Sequence, residues 1–328
     1  LVIRGARVIQ ASIRDITTRR QTEDQLQLAA MVYQHSSEAM MVSDADDRII
    51  AINQAFTRMT GYNENDALGQ PTSILHRETS DTATLAMINE ALQKHGSWHG
   101  ELTGLRKNGD IFTQSITINT AWNDDGSVYR RVALFSDISE KKKNESLIWL
   151  QANYDGLTGK PNRRHFYERL NLEIKQSHRN NHSFVLLFID LDRFKEVNDA
   201  LGHDMGDILL KQAADRLHTC IRETDFLGRL GGDEFAIILT DLNEPAIIER
   251  LAQKMLESLC QLFRLEDDVA YVSASIGISL YPHDSARLEE LLKHADQAMY
   301  AAKNLGRNRY SYFTPALQEA AQRRIRMG

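Results

Sequence analysis

The stretch Asp225-Phe226-Leu227-Gly228-Arg229-Leu230-Gly231-Gly232-Asp233-Glu234-Phe235-Ala236-Ile237-Ile238-Leu239 sets two glycines and two carboxylates between two apolar runs of β character, 225–230 and 236–239. Apolar runs interrupted by such a segment predict a hairpin with Gly231 to Phe235 at its tip. A glycine pair permits positive φ and lets a ligand's phosphates approach the backbone, while adjacent acids at the same tip suit a divalent cation. The ligand chemistry this implies is a nucleoside triphosphate with magnesium, manganese being the alternative cation.

Working outward, Phe184 to Leu191 reads as a buried strand that runs directly into Asp190-Leu191-Asp192-Arg193-Phe194-Lys195. Ligands collect where strands of an α/β sheet end. Asp190 and Asp233, together in space, would hold magnesium through two carboxylates and a backbone carbonyl, leaving positions for phosphate oxygens and water. The bland alternative is a pair of surface acids capping turns; the two contexts together favour the metal. Periodicity predicts helices over 163–179, 206–221, 245–263 and 285–304, and strands over 184–191, 269–279 and 309–313 beside the hairpin. That order describes a central mixed sheet covered by helices. A polar helical tail is expected over 316–326.

The first half reads differently. Residues 38–52 alternate as strand, turn, strand around Asp44-Ala45-Asp46-Asp47, residues 53–61 form a short helix ended by Gly61, and strands follow over 98–107, 111–122 and 128–136. The turns between them are Asn108-Gly109-Asp110 and Asn123-Asp124-Asp125-Gly126. Antiparallel strands with short helices imply a small α+β, sensor-like domain. Asn53-Gln54-Ala55-Phe56, Gly61-Tyr62, Arg106-Lys107-Asn108-Gly109 and Asp137-Ile138-Ser139 make residues 29–139 resemble the PAS family, whose modules are sensors or dimerisation elements. A similar ending, Ile13-Arg14-Asp15-Ile16-Thr17, suggests that residues 1–28 close a preceding PAS-like module and its connecting helix, so that the amino terminus looks cut from a longer protein. Residues 140–153 read as a linker helix with one apolar seam, either pairing with a copy of itself or standing as a solvated connector.

Across residues 150–313 a second resemblance covers nearly the whole segment. Asp155-Gly156-Leu157-Thr158-Gly159, Phe188 through Asp199, Gly202-His203-Asp204-Met205-Gly206-Asp207, Gly231 through Phe235, and Tyr300 through Asn308 are similar to the GGDEF family of diguanylate cyclases. The expected fold is thus α+β throughout: an antiparallel PAS sheet, then a nucleotide-cyclase-like palm, bounded here as 154–313, with a tail over 314–328. The resemblance implies condensation of two GTP into cyclic di-GMP with loss of two pyrophosphates, in a homodimer. It implies that Asp190, the Leu191 carbonyl and Asp233 hold the metal, that Asp233 is the general base, and that Glu234 supports the cluster. Lys195 would stabilise charge at the α-phosphate, Asn198 and Asp207 would read guanine, and Lys303 and Arg307 would contact phosphate.

Blander roles exist for several of these. Lys303 and Arg307 suit a helix carboxyl end, Asn198 and Asp207 suit turn and helix caps, and His203 suits a loop-ordering role. Arg222-Glu223-Thr224-Asp225, with five residues between Asp225 and Gly231, resembles the family's RxxD inhibitory site, where Arg222 and Asp225 would bind cyclic di-GMP; an exposed ion pair gives the same letters. Lys160 departs from the family's apolar preference, which puts the packing of its turn in question. Residues 317–327 resemble the linker to an EAL phosphodiesterase domain. A binding module that takes GTP or cyclic di-GMP and governs such a domain is the competing function.

Composition narrows the classes further. Thirty-nine Lys and Arg against 45 acids leave a net charge of −6, which gives no electrostatic support for nucleic-acid binding. No apolar run is long enough for a bilayer and no signal peptide opens the chain, so a cytoplasmic location is expected, with a membrane tether elsewhere in the parent left open. Cys220 and Cys260 are expected as two buried thiols. The PAS ligand is undetermined: His35, His76, His95 and His99 show no haem spacing, and Trp98 and Trp122 read as packing residues rather than a flavin site.

Overall fold

The computed structural model describes residues 2–3, 6–7, 17–76, 82–242 and 244–317. The chain divides into two compact units, Leu1–Glu145 and Ser146–Gly328.

In the first unit, β1 (Val2–Ile3) and β2 (Ala6–Arg7) pair as a short hairpin, followed by α1 (Thr17–His35). The body comprises β3 (Ala39–Ser43), β4 (Ile49–Ile52), α2 (Gln54–Thr60), α3 (Glu64–Ala67), α4 (Thr82–His95), β5 (Ser97–Leu105), β6 (Ile111–Trp122) and β7 (Val128–Asp137). Its five strands form one antiparallel sheet in the order β4-β3-β7-β6-β5. Asn53 caps α2 by accepting from the Phe56 N–H, and Gly61 ends it at φ 79°, as the sequence signals at both ends required. Ala39, Ile49, Phe56, Ile116 and Phe135 lie at the core of this unit. Arg106 pairs with Asp137, whose other carboxylate oxygen accepts from the Ser139 N–H at the start of α5 (Ser139–Asn153). The segment resembling a preceding module falls almost entirely outside the described residues, as does most of the expected tail.

The second unit continues with α6 (Arg163–Asn180), β8 (Phe184–Asp192), α7 (Phe194–Leu201), α8 (His203–Cys220), β9 (Phe226–Gly231), β10 (Glu234–Thr240), α9 (Pro245–Leu259), β11 (Phe263–Leu265), β12 (Asp268–Ala270), β13 (Ser273–Tyr281), α10 (Leu288–Asn304) and β14 (Arg309–Tyr312). The sheet order is β14-β13-β8-β10-β9, antiparallel except for the parallel β13–β14 pair. Every residue of β8 is buried, which explains its unbroken apolar run. Val185, Leu187, Ile189 and Leu191 pack on the face covered by α8 and α9, while Phe184, Leu186 and Phe188 pack on the face covered by α6 and α10. Asp190 and Asp192 project to that second face by the same alternation.

Several expectations need correction. The 245–263 helix stops at Leu259 because Phe263 pairs across to Ala270, and the 269–279 strand is two strands, broken where β12 turns back to β11. Helix α7 lies within the motif run and was not anticipated as an element. Cys220 is buried, but Cys260 is only partly so and donates its thiol to Asn308 Oδ1 at 3.0 Å. Trp122 is 44% exposed, with its indole edge packed against Gly96. The linker helix has no seam: Leu147, Ile148, Trp149 and Leu150 are consecutive, so at about 100° per residue they wrap around the helix, and all four are exposed. Lys160 resolves its own departure by reaching Asp215 on α8 at 3.0 Å.

Candidate active site at the hairpin tip

Strands β9 and β10 meet in a two-residue turn, Gly232-Asp233, with Gly231 at φ 140° and Gly232 at φ 55°. Both conformations lie in the region that L side chains rarely adopt, which is why glycine occupies them. The turn delivers Asp233 beside β8: the Leu191 N–H donates to the Asp233 carbonyl at 3.3 Å, and Glu234 lies opposite Asp190 in the ladder. The separate acids named from the sequence therefore converge.

Their electrostatics are those of a crowded anionic site. Burial pushes the Asp190 carboxyl up to about 6, reinforced by the neighbouring charges of Asp233 and Asp192 and opposed by Lys303, whose Nζ lies 2.7 Å from Asp190 Oδ2. Burial also raises Glu234, opposed by Arg163 and reinforced by Asp296 and Asp233. Asp296 is raised by burial too, with Lys303 acting against it. One ammonium thus faces several carboxyls, and the surplus negative charge with its hard oxygen donors fits a divalent cation. Among the described residues no three His, Cys, Asp or Glu side chains gather as a metal cluster by themselves, so a cation here needs a backbone carbonyl such as that of Leu191 or oxygens from a ligand.

The remaining candidates divide. Asn198 lies on α7 with its Oδ1 buried and without a hydrogen-bond partner, directed at Gly206, where an added Cβ would stand 1.8 Å from it. It caps nothing, and the amino end of α8 has only Gly202 as its cap. Asp207 and His203 are exposed on the first turns of α8, and Lys195 is exposed on the first turn of α7. Arg307 approaches Asp192, Nε to Oδ1, at 4.0 Å. Arg222 and Asp225 form a turn apart from the acid cluster: Asp225 Oδ2 accepts from the Arg222 N–H and Oδ1 from the Thr240 N–H, leaving the Arg222 residue exposed.

Two residues escaped the sequence reading. Asp192 is 2% exposed and accepts from the hydroxyls of Ser273 and Ser275 and from the Asn308 N–H, so it anchors the turn that carries Arg307. Arg229 donates twice to the Gly232 carbonyl, at 2.7 and 3.0 Å, and twice to the Asp155 carboxylate, at 2.9 and 3.1 Å. It holds the tip from behind. A charged residue inside an otherwise apolar strand, two positions before the glycine pair, was its only signal.

Both units have known relatives. Residues 152–309 match the family described as diguanylate cyclase, GGDEF domain, and residues 37–140 match a PAS domain family. Residues 152–309 therefore belong to the GGDEF family, with a PAS domain preceding them. It is 32% identical over 288 residues to the signaling protein YkoW of Bacillus subtilis, covering 85% of this chain and 34% of that protein. To the bifunctional diguanylate cyclase/cyclic di-GMP phosphodiesterase MucR of Pseudomonas aeruginosa it is 42% identical over 186 residues, covering 57% and 27%. The chain therefore spans about a third or less of the length of these two relatives. The isolated GGDEF domain of TpbB from Pseudomonas aeruginosa superposes with a TM-score of 0.50 at 39% identity, covering 52% of this chain and 99% of that one. No helix among the described residues is long and apolar enough to cross a membrane.

Proposed function

We propose that the second unit is a diguanylate cyclase that condenses two GTP into cyclic di-GMP and two pyrophosphates, under control of the PAS domain and of its product. The carrying observation is the convergence of Asp190 on β8 with Asp233 at the hairpin tip, where the Leu191 N–H donates to the Asp233 carbonyl and Glu234 lies opposite Asp190. A divalent cation, magnesium or manganese, held by Asp190, Asp233 and the Leu191 carbonyl would supply Lewis-acid neutralisation of phosphate charge. The chain's own groups do the rest. Asp233 takes the proton from the 3′-hydroxyl of the opposed GTP, which attacks the α-phosphorus as pyrophosphate leaves. Lys195 reaches the α-phosphate from the exposed start of α7, while Lys303 and Arg307 face the leaving phosphates. The unpartnered Asn198 Oδ1 accepts from guanine N–H groups, with Asp207 beside it.

One catalytic domain presents one GTP, so ring closure requires a second copy opposite the first, and a homodimer follows from the chemistry. Arg222 supplies a free guanidinium for cyclic di-GMP at the inhibitory turn. Incubation of the purified chain with GTP and magnesium, followed by chromatography, tests the assignment: cyclic di-GMP should accumulate, and Asp233→Ala should lower turnover by at least about 10³-fold with the fold intact. GTP binding without product would point instead to a regulatory module for a phosphodiesterase domain, a role that MucR's bifunctional description keeps in view.

A further inference from the structure

Between the sheet of the first unit and α4 lies a cavity of about 620 Å³, a size typical of small-molecule sites. Met41, Ile88, Leu92, Leu102, Ile116 and Ile118 make its wall largely aliphatic, and among the described residues lining it there is no Phe, Tyr or Trp. A flat conjugated ring would find no ring to stack on.

Into this wall β6 projects Gln114, by the same alternation that brings in Ile116 and Ile118. Gln114 is 1% exposed, yet neither Oε1 nor Nε2 has a hydrogen-bond partner. Burying both ends of a carboxamide unpaired is costly, so such a group calls for a complement. That complement must donate to Oε1 and accept from Nε2 side by side. The rest of the lining decides its charge. Arg131 also borders the cavity: its Nη1 is paired with Asp47, which matches its positive charge, while its Nε is buried without a partner and is a further donor that the acceptor of such a head can satisfy. His76 is held below its ordinary range by burial and adds no charge near neutrality.

We infer that the cavity binds an aliphatic small molecule through an uncharged head that donates and accepts together, a primary carboxamide or a protonated carboxylic acid, read by the Gln114 amide. The inference is independent of the catalytic assignment.

Calorimetric titration of the full chain with three probes of equal chain length tests it. Decanamide carries the complete head, N,N-dimethyldecanamide accepts but cannot donate, and decanoate at neutral pH is ionised and has no donor. Decanamide should bind at least about tenfold more tightly than either. In Gln114→Leu that preference should fall within about twofold, and Gln114→Glu, which keeps the shape, should also lose it. A Gln114→Leu protein that fails to fold leaves the wild-type ranking and the Glu variant to decide. Equal affinity for the three probes, absence of binding by decanamide, an unchanged preference in the variants, or a visible absorption band from a co-purified conjugated ring would each overturn the inference.

Discussion

Asn198 shows how one side chain can be read as ligand-directed rather than structural. A buried carboxamide oxygen without a partner costs about 1–3 kcal/mol, and a guanine edge would satisfy it. The absence of a side chain at Gly206 makes room for the Asn198 carboxamide itself, since a Cβ there would meet Asn198 Oδ1 at 1.8 Å and Phe194 Cζ at 3.2 Å and push the amide aside. Gly206→Ala should therefore raise the KM for GTP by about tenfold or more while the circular dichroism spectrum stays native; an unchanged KM would remove Asn198 from guanine recognition. At the proposed inhibitory turn the two residues are not equivalent. Asp225 holds two backbone N–H groups, so replacing it perturbs the turn, whereas Arg222 offers the cleaner substitution. Arg222→Ala should weaken product inhibition by about 10-fold with little change in initial rate, read from inhibition curves with added cyclic di-GMP. Acids at a strand end and a hairpin tip were legible in the sequence because each sits beside an unmistakable apolar run. Arg229 and Asp192 were not, because they act on the backbone of Gly232 and Asn308, and only the fold makes those groups neighbours.

Among the elements, β8 and the β9–β10 hairpin were the most legible, since the buried positions 184–189 form a continuous apolar string and the glycine pair marks the turn. Helix α7 was hidden by its brevity and its charged residues, Lys195, Glu196 and Asp199, and the β12–β13 break was hidden because apolar residues continue straight through it. The turn after α5 shows an element acting on the site at one remove. Asp155 accepts from the Thr158 N–H and hydroxyl and pairs with Arg229, which in turn grips the Gly232 carbonyl. Burial acts to raise the Asp155 carboxyl, but the bonds from Thr158 and Arg229 outweigh it and hold it below its ordinary value of 3.8. A carboxylate depressed on folding adds stability that is present above its unfolded pKa and is lost as pH falls through the lower folded value. Asp155→Asn should accordingly cost about 1–2 kcal/mol at neutral pH, and the difference from wild type should shrink below about pH 4. Urea melts across that range measure it. A constant difference at all pH values would show that the carboxylate charge is not what stabilises the turn.

For the whole molecule, the proposed chemistry sets a requirement that one copy cannot meet. Each GTP needs its 3′-hydroxyl aligned with the α-phosphate of the other, and one hairpin tip holds a single set of acids. The rate must then follow the concentration of paired copies rather than of chains. The exposed Leu147, Ile148 and Leu150 on α5 are apolar surface that a second copy can cover, although their consecutive placement wraps the helix and gives no regular heptad seam. Below the dissociation constant of the dimer, specific activity should rise in proportion to protein concentration, and above it should level off. Ile148→Ser should shift that transition to higher concentration by about tenfold, roughly the loss expected when a large aliphatic side chain leaves an apolar contact, while the plateau activity stays near wild type because the hairpin tip is untouched. Initial rates over a dilution series, with sedimentation on the same samples, separate the alternatives. A specific activity independent of dilution across the range where sedimentation shows single copies would refute the two-copy mechanism. A variant that reaches the same plateau with an unmoved transition would instead exclude α5 from the contact and leave the paired chemistry standing.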